Sequence, residues 1–135
     1  MIRDPQIKSE IVKEWNGVRK LQQSFITKHL LPGYGIINEF IPDEFHNLPF
    51  VLAFAVLDEV LTQLRDQGDF KCKSSFLGPK MEASQSHLPW QNYDLVNSGK
   101  KARNRLAHDA TLLAKADCIK YIDTIEIELR AWGII

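Results

Sequence analysis

Only two cysteines occur in the 135 residues, Cys72 and Cys118, and they are far apart with no CxxC spacing. A disulfide framework and a thiolate zinc site are therefore not expected. Both read as reduced thiols, which suits a cytoplasmic protein. Long apolar runs are missing too. The longest, Phe50 to Leu57, has eight residues, against the roughly 20 that span a bilayer as a helix. The chain opens Met-Ile-Arg-Asp-Pro, with no apolar signal-peptide segment, so no membrane partner is expected. There is no Gly-rich phosphate loop, no GxSxG elbow and no HExxH. None of His29, His46, His87 and His108 has a histidine four residues away, so no metal site and no cofactor are expected. Net charge is missing as well: 17 Lys and Arg balance 17 Asp and Glu. That excludes a uniformly basic nucleic-acid coat and an acidic disordered tail.

What is present is enough apolar matter for one domain over residues 1–135. Hydrophobic residues make up 44%, with three Trp and seven Phe. Residues 4–31 read as an amphipathic helix that opens on Asp4-Pro5 and stops at Pro32-Gly33. Ile7, Ile11, Trp15, Val18, Leu21 and Phe25 form its stripe. Residues 32–48 read as a connector with one helical turn. A second helix, 49–67, carries Phe50, Phe54, Leu57, Leu61 and Leu64, widened by Val51, Ala55 and Val60, with Gly68 at its end. A short helix is expected at 79–86. A third main helix spans 90–109 with Leu95, Ala102 and Leu106 inward, and Gly99 reads as a weak point costing about 1 kcal/mol against alanine. The last helix, 111–132, has Thr111 as a possible cap and Gly133 at its end. No segment reads as a convincing strand. Such stripes bury one another as an all-α, antiparallel up-and-down bundle of four to five helices.

The balanced charge is uneven along the chain. Residues 1–31 carry +3, 32–69 carry −6, 70–108 carry +5 and 109–135 carry −2. The sharpest cluster is Lys100, Lys101, Arg103, Arg105 and His108, with no acid among them. Asn104 and His108 stand four apart and share a helix face, with Arg103 beside it. These residue types suit phosphodiester chemistry. Histidine exchanges protons near neutral pH. Arginine stays charged and grips phosphate oxygens in a fork, so it stabilises charge developing at phosphorus. Lys100, Lys101 and Arg105 could steer an RNA backbone. A second reading is open: basic residues at a helix C-terminus also complement the helix dipole without any catalytic role.

The run Arg103-Asn104-Arg105-Leu106-Ala107-His108, followed by a long amphipathic helix, resembles the HEPN family of small helical domains. Its signature is Arg, four to six residues, then His, often with Asn, Asp or His directly after the Arg. The resemblance implies a four- or five-helix bundle covering nearly the whole chain. It implies a metal-independent endoribonuclease of the toxin–antitoxin or anti-phage kind, working as a homodimer whose two motifs share one RNA cleft. An antitoxin protein is a possible further partner. Carried over, His108 would be general acid or base, Arg103 the transition-state clamp and Asn104 the orienting residue, with Lys100, Lys101 and Arg105 on the substrate. Toxins silenced by nucleotidyl transfer often carry Tyr two residues after the His; here that place is Ala110, after Asp109.

Other HEPN domains are non-catalytic and bind nucleotides or proteins. The over-apolar helix 49–67 makes such an interaction module the competing expectation. A transcription regulator fits less well, because no pair of short helices forms a helix-turn-helix pattern. Asp58-Glu59 reads as a solvated edge or as a functional carboxylate pair.

Overall fold

The computed structural model describes residues 1–31, 33 and 35–135. Five α-helices and one β-hairpin are found among them: α1 (Pro5–Gln23), β1 (Ile26–Leu31), β2 (Gly35–Phe40), a 3-10 turn (Asp43–His46), α2 (Asn47–Asp66), α3 (Leu77–Ser84), α4 (Tyr93–Asp109) and α5 (Lys115–Ala131). The architecture is the expected all-helical bundle, with the hairpin as an addition.

The start of α1 follows the sequence. The Asp4 carboxylate accepts from the backbone N–H of Gln6 at 2.9 Å and of Ile7 at 3.3 Å, and Pro5 fills the first turn. Its end does not. The helix stops at Gln23, eight residues before the expected Leu31, and the chain enters the hairpin. β1 pairs antiparallel with β2, from Ile26 opposite Phe40 to Leu31 opposite Gly35, and the Ile41 N–H donates to the Phe25 carbonyl at 3.1 Å. The β-branched residues Ile26, Thr27, Ile36 and Ile37 favour extended backbone. Gly33 and Gly35, at φ +83° and +79°, supply the reversal that side chains resist. The apolar period thus continues through residues whose local preference is strand. Pro32, read as the helix stop, lies outside the described residues.

α2 is the central helix. Phe50, Ala53, Phe54, Leu57, Val60, Leu61 and Leu64 are buried completely. α1 packs Ile11, Trp15 and Val18 against it, α5 packs Ile122, Ile125 and Leu129, and α3 adds Leu77 and Met81. The 24-residue stretch Asp43–Asp66 is long and apolar enough to cross a membrane by composition, but 56% of its most apolar window is buried inside the fold. The rest forms an outward strip of Leu48, Val51, Leu52 and Ala55. Cys118 is buried and its thiol is pushed up to about 11, first by burial and then by the charge of Asp117. It is therefore a weak nucleophile and a poor ligand.

Polar links fix the helices laterally. The Trp15 indole N–H donates to Glu126 Oε1 at 2.8 Å, and Arg19 pairs with Glu126 and Asp123, each at 2.9 Å. Burial works to raise the Glu126 carboxyl, but the bonds from Arg19 and Trp15 outweigh it and hold it below the ordinary carboxylate value. Lys80 is buried at the α2–α3 contact, 2.5 Å from Asp58 and 2.7 Å from Thr62 Oγ1. Asp58 is thus engaged in a packing ion pair, and Glu59 is exposed beside it.

Two local expectations are corrected. Gly99 is no weak point. A Cβ there would stand 2.8 Å from both Phe54 Cζ and Tyr121 Cδ1, so glycine lets α4 approach α2 and α5 closely. The last helix starts at Lys115, not Thr111. Ala114 is its N-cap, without a side-chain bond, and Thr111 lies in the preceding loop. Smaller differences follow: α3 begins two residues earlier than read, α4 begins at Tyr93, and Val96 rather than Leu95 is the deeply buried residue of its first turns.

His46 closes the junction between hairpin and helices. It is 6% exposed, packs edge-on against Phe25 at 4.8 Å, and its Nδ1 has no hydrogen-bond partner among the described residues. Burial lowers its pKa most, Lys115 lowers it further, and Asp43 opposes them. The folded state therefore holds the proton less well than the unfolded chain. The stability contributed by neutral His46 is present above the unfolded value, about 6.5, and is lost as pH falls below it. Thermal unfolding should fall more steeply between pH 7 and pH 5 in wild type than in His46→Phe. Parallel slopes for the two proteins would refute this account.

Candidate active site

α4 carries every residue of the basic cluster, and its local structure decides where they point. Val96, Gly99 and Ala102 face the core. Lys100, Arg103, Asn104 and His108 then fall on the flank toward α3. With the first turn of α3, Phe76 to Pro79, they line a cleft of about 390 Å³. Arg103 is half-buried and its Nη2 donates to Asn104 Oδ1 at 3.1 Å; Asn104 and His108 are exposed. Lys100 is half-buried and lies over Gly78, whose absent Cβ would come 3.2 Å from its Nζ. α3 opens at Phe76 without a side-chain cap, so the positive end of that helix adds to the cations.

The structure thus brings together four of the six residues singled out from the sequence. It does not bring in Lys101 and Arg105. Both are exposed and lie outside the cleft. Among the described residues, no ion pair joins Asp109 to Arg105 or His108. Nor do any three His, Cys, Asp or Glu side chains there converge to hold a metal ion.

The segment after His108 is fixed from two sides. Ala110 adopts φ +54°, the left-handed region, and ends α4 one residue after Asp109. A non-glycine residue there stores about 1 kcal/mol of strain. Asn47 secures the loop beyond it. Its side chain accepts from the Leu113 N–H at 2.9 Å and donates to the Leu113 carbonyl at 3.0 Å and the Glu44 carbonyl at 2.9 Å. Sequence reasoning passed over Asn47 because it stood in an apparent connector; an Asn directly before an apolar helix start was the available signal.

Two further surfaces adjoin the cleft. Between α3 and the first half of α4 lies a polar groove of about 550 Å³, with Glu82, Gln85, Tyr93, Asp94 and Asn97 on its walls. It shares Gly78, Pro79 and Lys100 with the cationic cleft. On the other flank of α4, Leu106 meets Phe45, Leu48, Val51 and Leu112 around an apolar depression of about 320 Å³. Compared with protein-family models, with curated proteins and with solved structures, the chain matches none.

Proposed function

We propose that the protein is a metal-independent endoribonuclease of the HEPN kind. The observation that supports it best is the shared cleft: Arg103, Asn104 and His108 line one open depression with Lys100 and the uncapped start of α3. A helix C-terminus that needed only complementary charge would not require its arginine and histidine to face a second helix's positive end. In the reaction, the ribose 2′-OH attacks the adjacent phosphorus. A base takes the 2′ proton, the P–O5′ bond breaks, and an acid protonates the departing 5′ oxygen. The products are a 2′,3′-cyclic phosphate and a 5′-hydroxyl. His108 serves as base or acid, Arg103 neutralises the phosphorane oxygens, and Asn104 holds the Arg103 guanidinium in line. Lys101 and Arg105, outside the cleft, act on the flanking RNA backbone through charge alone.

One cleft holds one histidine, whereas the reaction uses a base and an acid. The proposal therefore includes a homodimer. Its contact surface is the exposed face of α2 together with Phe45 and Leu112, both about half exposed. Leu106 joins that patch while standing between Arg103 and His108 in sequence, so a second copy seated there would lie beside the first cleft. The same exposed face also favours the competing reading, a non-catalytic module that docks a partner protein or antitoxin.

Purified protein incubated with RNA in EDTA separates the two. The enzyme yields fragments ending in a 2′,3′-cyclic phosphate, and Val51→Glu, which charges the α2 face, converts dimer to monomer in light scattering and lowers cleavage at least tenfold. Intact RNA leaves the module, and cleavage only with added metal overturns the metal-independent mechanism.

A further inference from the structure

The two polar clefts beside α4 adjoin along Gly78, Pro79 and Lys100 and differ in character at their far ends. Lys100 stands at the junction, belonging to both. Tyr93 and His108 stand 15 positions apart on α4, which is about 22 Å of helix at 1.5 Å per residue. One end carries Arg103 and His108. The other carries Glu82 and Asp94, with the amides of Gln85 and Asn97 and the ring of Tyr93. Burial, then the charges of Glu82 and Asp94, raise the Tyr93 hydroxyl. The ring itself is braced edge-on by Trp90 at 5.1 Å, and Trp90 in turn by Trp132 at 4.7 Å.

A phosphate backbone cannot run through the acidic end, because two carboxylates repel it. A nucleobase can. Single-stranded RNA is read by splaying a base onto an aromatic ring and hydrogen-bonding its Watson–Crick edge. Carboxylates accept only, so the edge they select must donate. Guanine offers two neighbouring donors, N1–H and N2–H, which fit the two oxygens of one carboxylate. Its O6 acceptor fits the Lys100 ammonium or an amide N–H of Asn97. Adenine and cytosine offer one amino donor beside a ring acceptor. Uracil turns carbonyl oxygens toward the acids on both sides of its single N–H.

We infer that the Glu82–Asp94 end of the groove is a base-reading subsite for guanine, a few nucleotides along the strand from the scissile phosphate held at Arg103 and His108. This rests on the ribonuclease reading and adds sequence selection to it. The braced tyrosine is the stacking platform.

The test is binding of the four ribonucleoside 3′-monophosphates and of inorganic phosphate to the intact protein, by calorimetry. The guanine nucleotide should bind about tenfold or more tighter than the uracil nucleotide, within the range a bidentate pair discriminates. Asp94→Asn and Glu82→Gln, both at exposed positions, should erase that preference while leaving uridine 3′-monophosphate affinity within about twofold. Four equal affinities, a uracil preference, or a guanine preference that survives both substitutions overturns the subsite. Phosphate binding without nucleotide binding also overturns it and leaves the anion cleft standing. If neither phosphate nor any nucleotide binds, the ribonuclease reading falls and the subsite with it.

Discussion

Replacing His108 by alanine should lower RNA cleavage in EDTA by about a hundredfold to ten-thousandfold, the usual contribution of one positioned acid or base. The side chain is exposed and makes no hydrogen bond or ion pair among the described residues. Its loss should therefore change stability by less than about 0.5 kcal/mol. That separation gives the experiment its force: activity falls while the melting curve stays in place. Arg103→Lys provides the second arm. It keeps the positive charge but removes the planar fork and the bond to Asn104 Oδ1. The turnover number should drop while the Michaelis constant for RNA changes little, because the fork acts on charge that develops only in the transition state. A His108→Ala protein as active as wild type would end the catalytic assignment. An Arg103→Lys protein defective only in binding would make Arg103 a general phosphate anchor.

The bundle was legible because its helices announce themselves by period. Phe50, Phe54, Leu57, Leu61 and Leu64 recur every three or four residues, and all five are buried. Asp4-Pro5 marks a start by cap chemistry that is local to the residues concerned. The hairpin was hidden because Leu21 and Phe25 keep the helical period up to the residue before β1, and period alone cannot say where a helix stops. Gly99 was misread for a related reason. Propensity scales score a glycine by its own backbone freedom, whereas this one is set by two aromatic rings from α2 and α5. The cleft shows the same division. The motif on α4 is contiguous, so it could be seen; its partner is the first turn of α3, more than 20 positions earlier, and nothing local links Gly78 to Lys100. Lys101 and Arg105 failed to join the cleft because charge clustering in sequence ignores the 100° step between helical neighbours.

The largest stability effect is expected at a residue that the apolar pattern conceals. Glu128 lies in α5 between Ile125 and Leu129 and is completely buried. Its carboxylate accepts from the Gln91 N–H at 2.7 Å and from the Asn92 N–H at 2.6 Å. Asn92 is the N-cap of α4 and makes no side-chain capping bond of its own. The start of the helix that carries the basic cluster is therefore held by a charge from α5. Bonds to an ionised group contribute roughly 1.5–3 kcal/mol each. Gln91 and Asn92 are exposed, so their N–H groups can recover water when the carboxylate is removed. Glu128→Ala should therefore cost about 3 kcal/mol, nearer one such bond than two, read as a lower urea midpoint at unchanged slope. Glu128→Gln should cost less but still about 1–2 kcal/mol, because the amide keeps one acceptor and turns its own N–H₂ toward a backbone donor. Amide exchange should rise first over Tyr93–Asn97, at the end of α4 that bears Tyr93 and Asp94, before it rises around Arg103. A nucleotide-binding measurement on Glu128→Gln should accordingly lose base discrimination more than phosphate affinity. A Glu128→Ala protein as stable as wild type would mean that the packing of Gly99 and Ala102 alone positions α4, with its N-terminus free to fray.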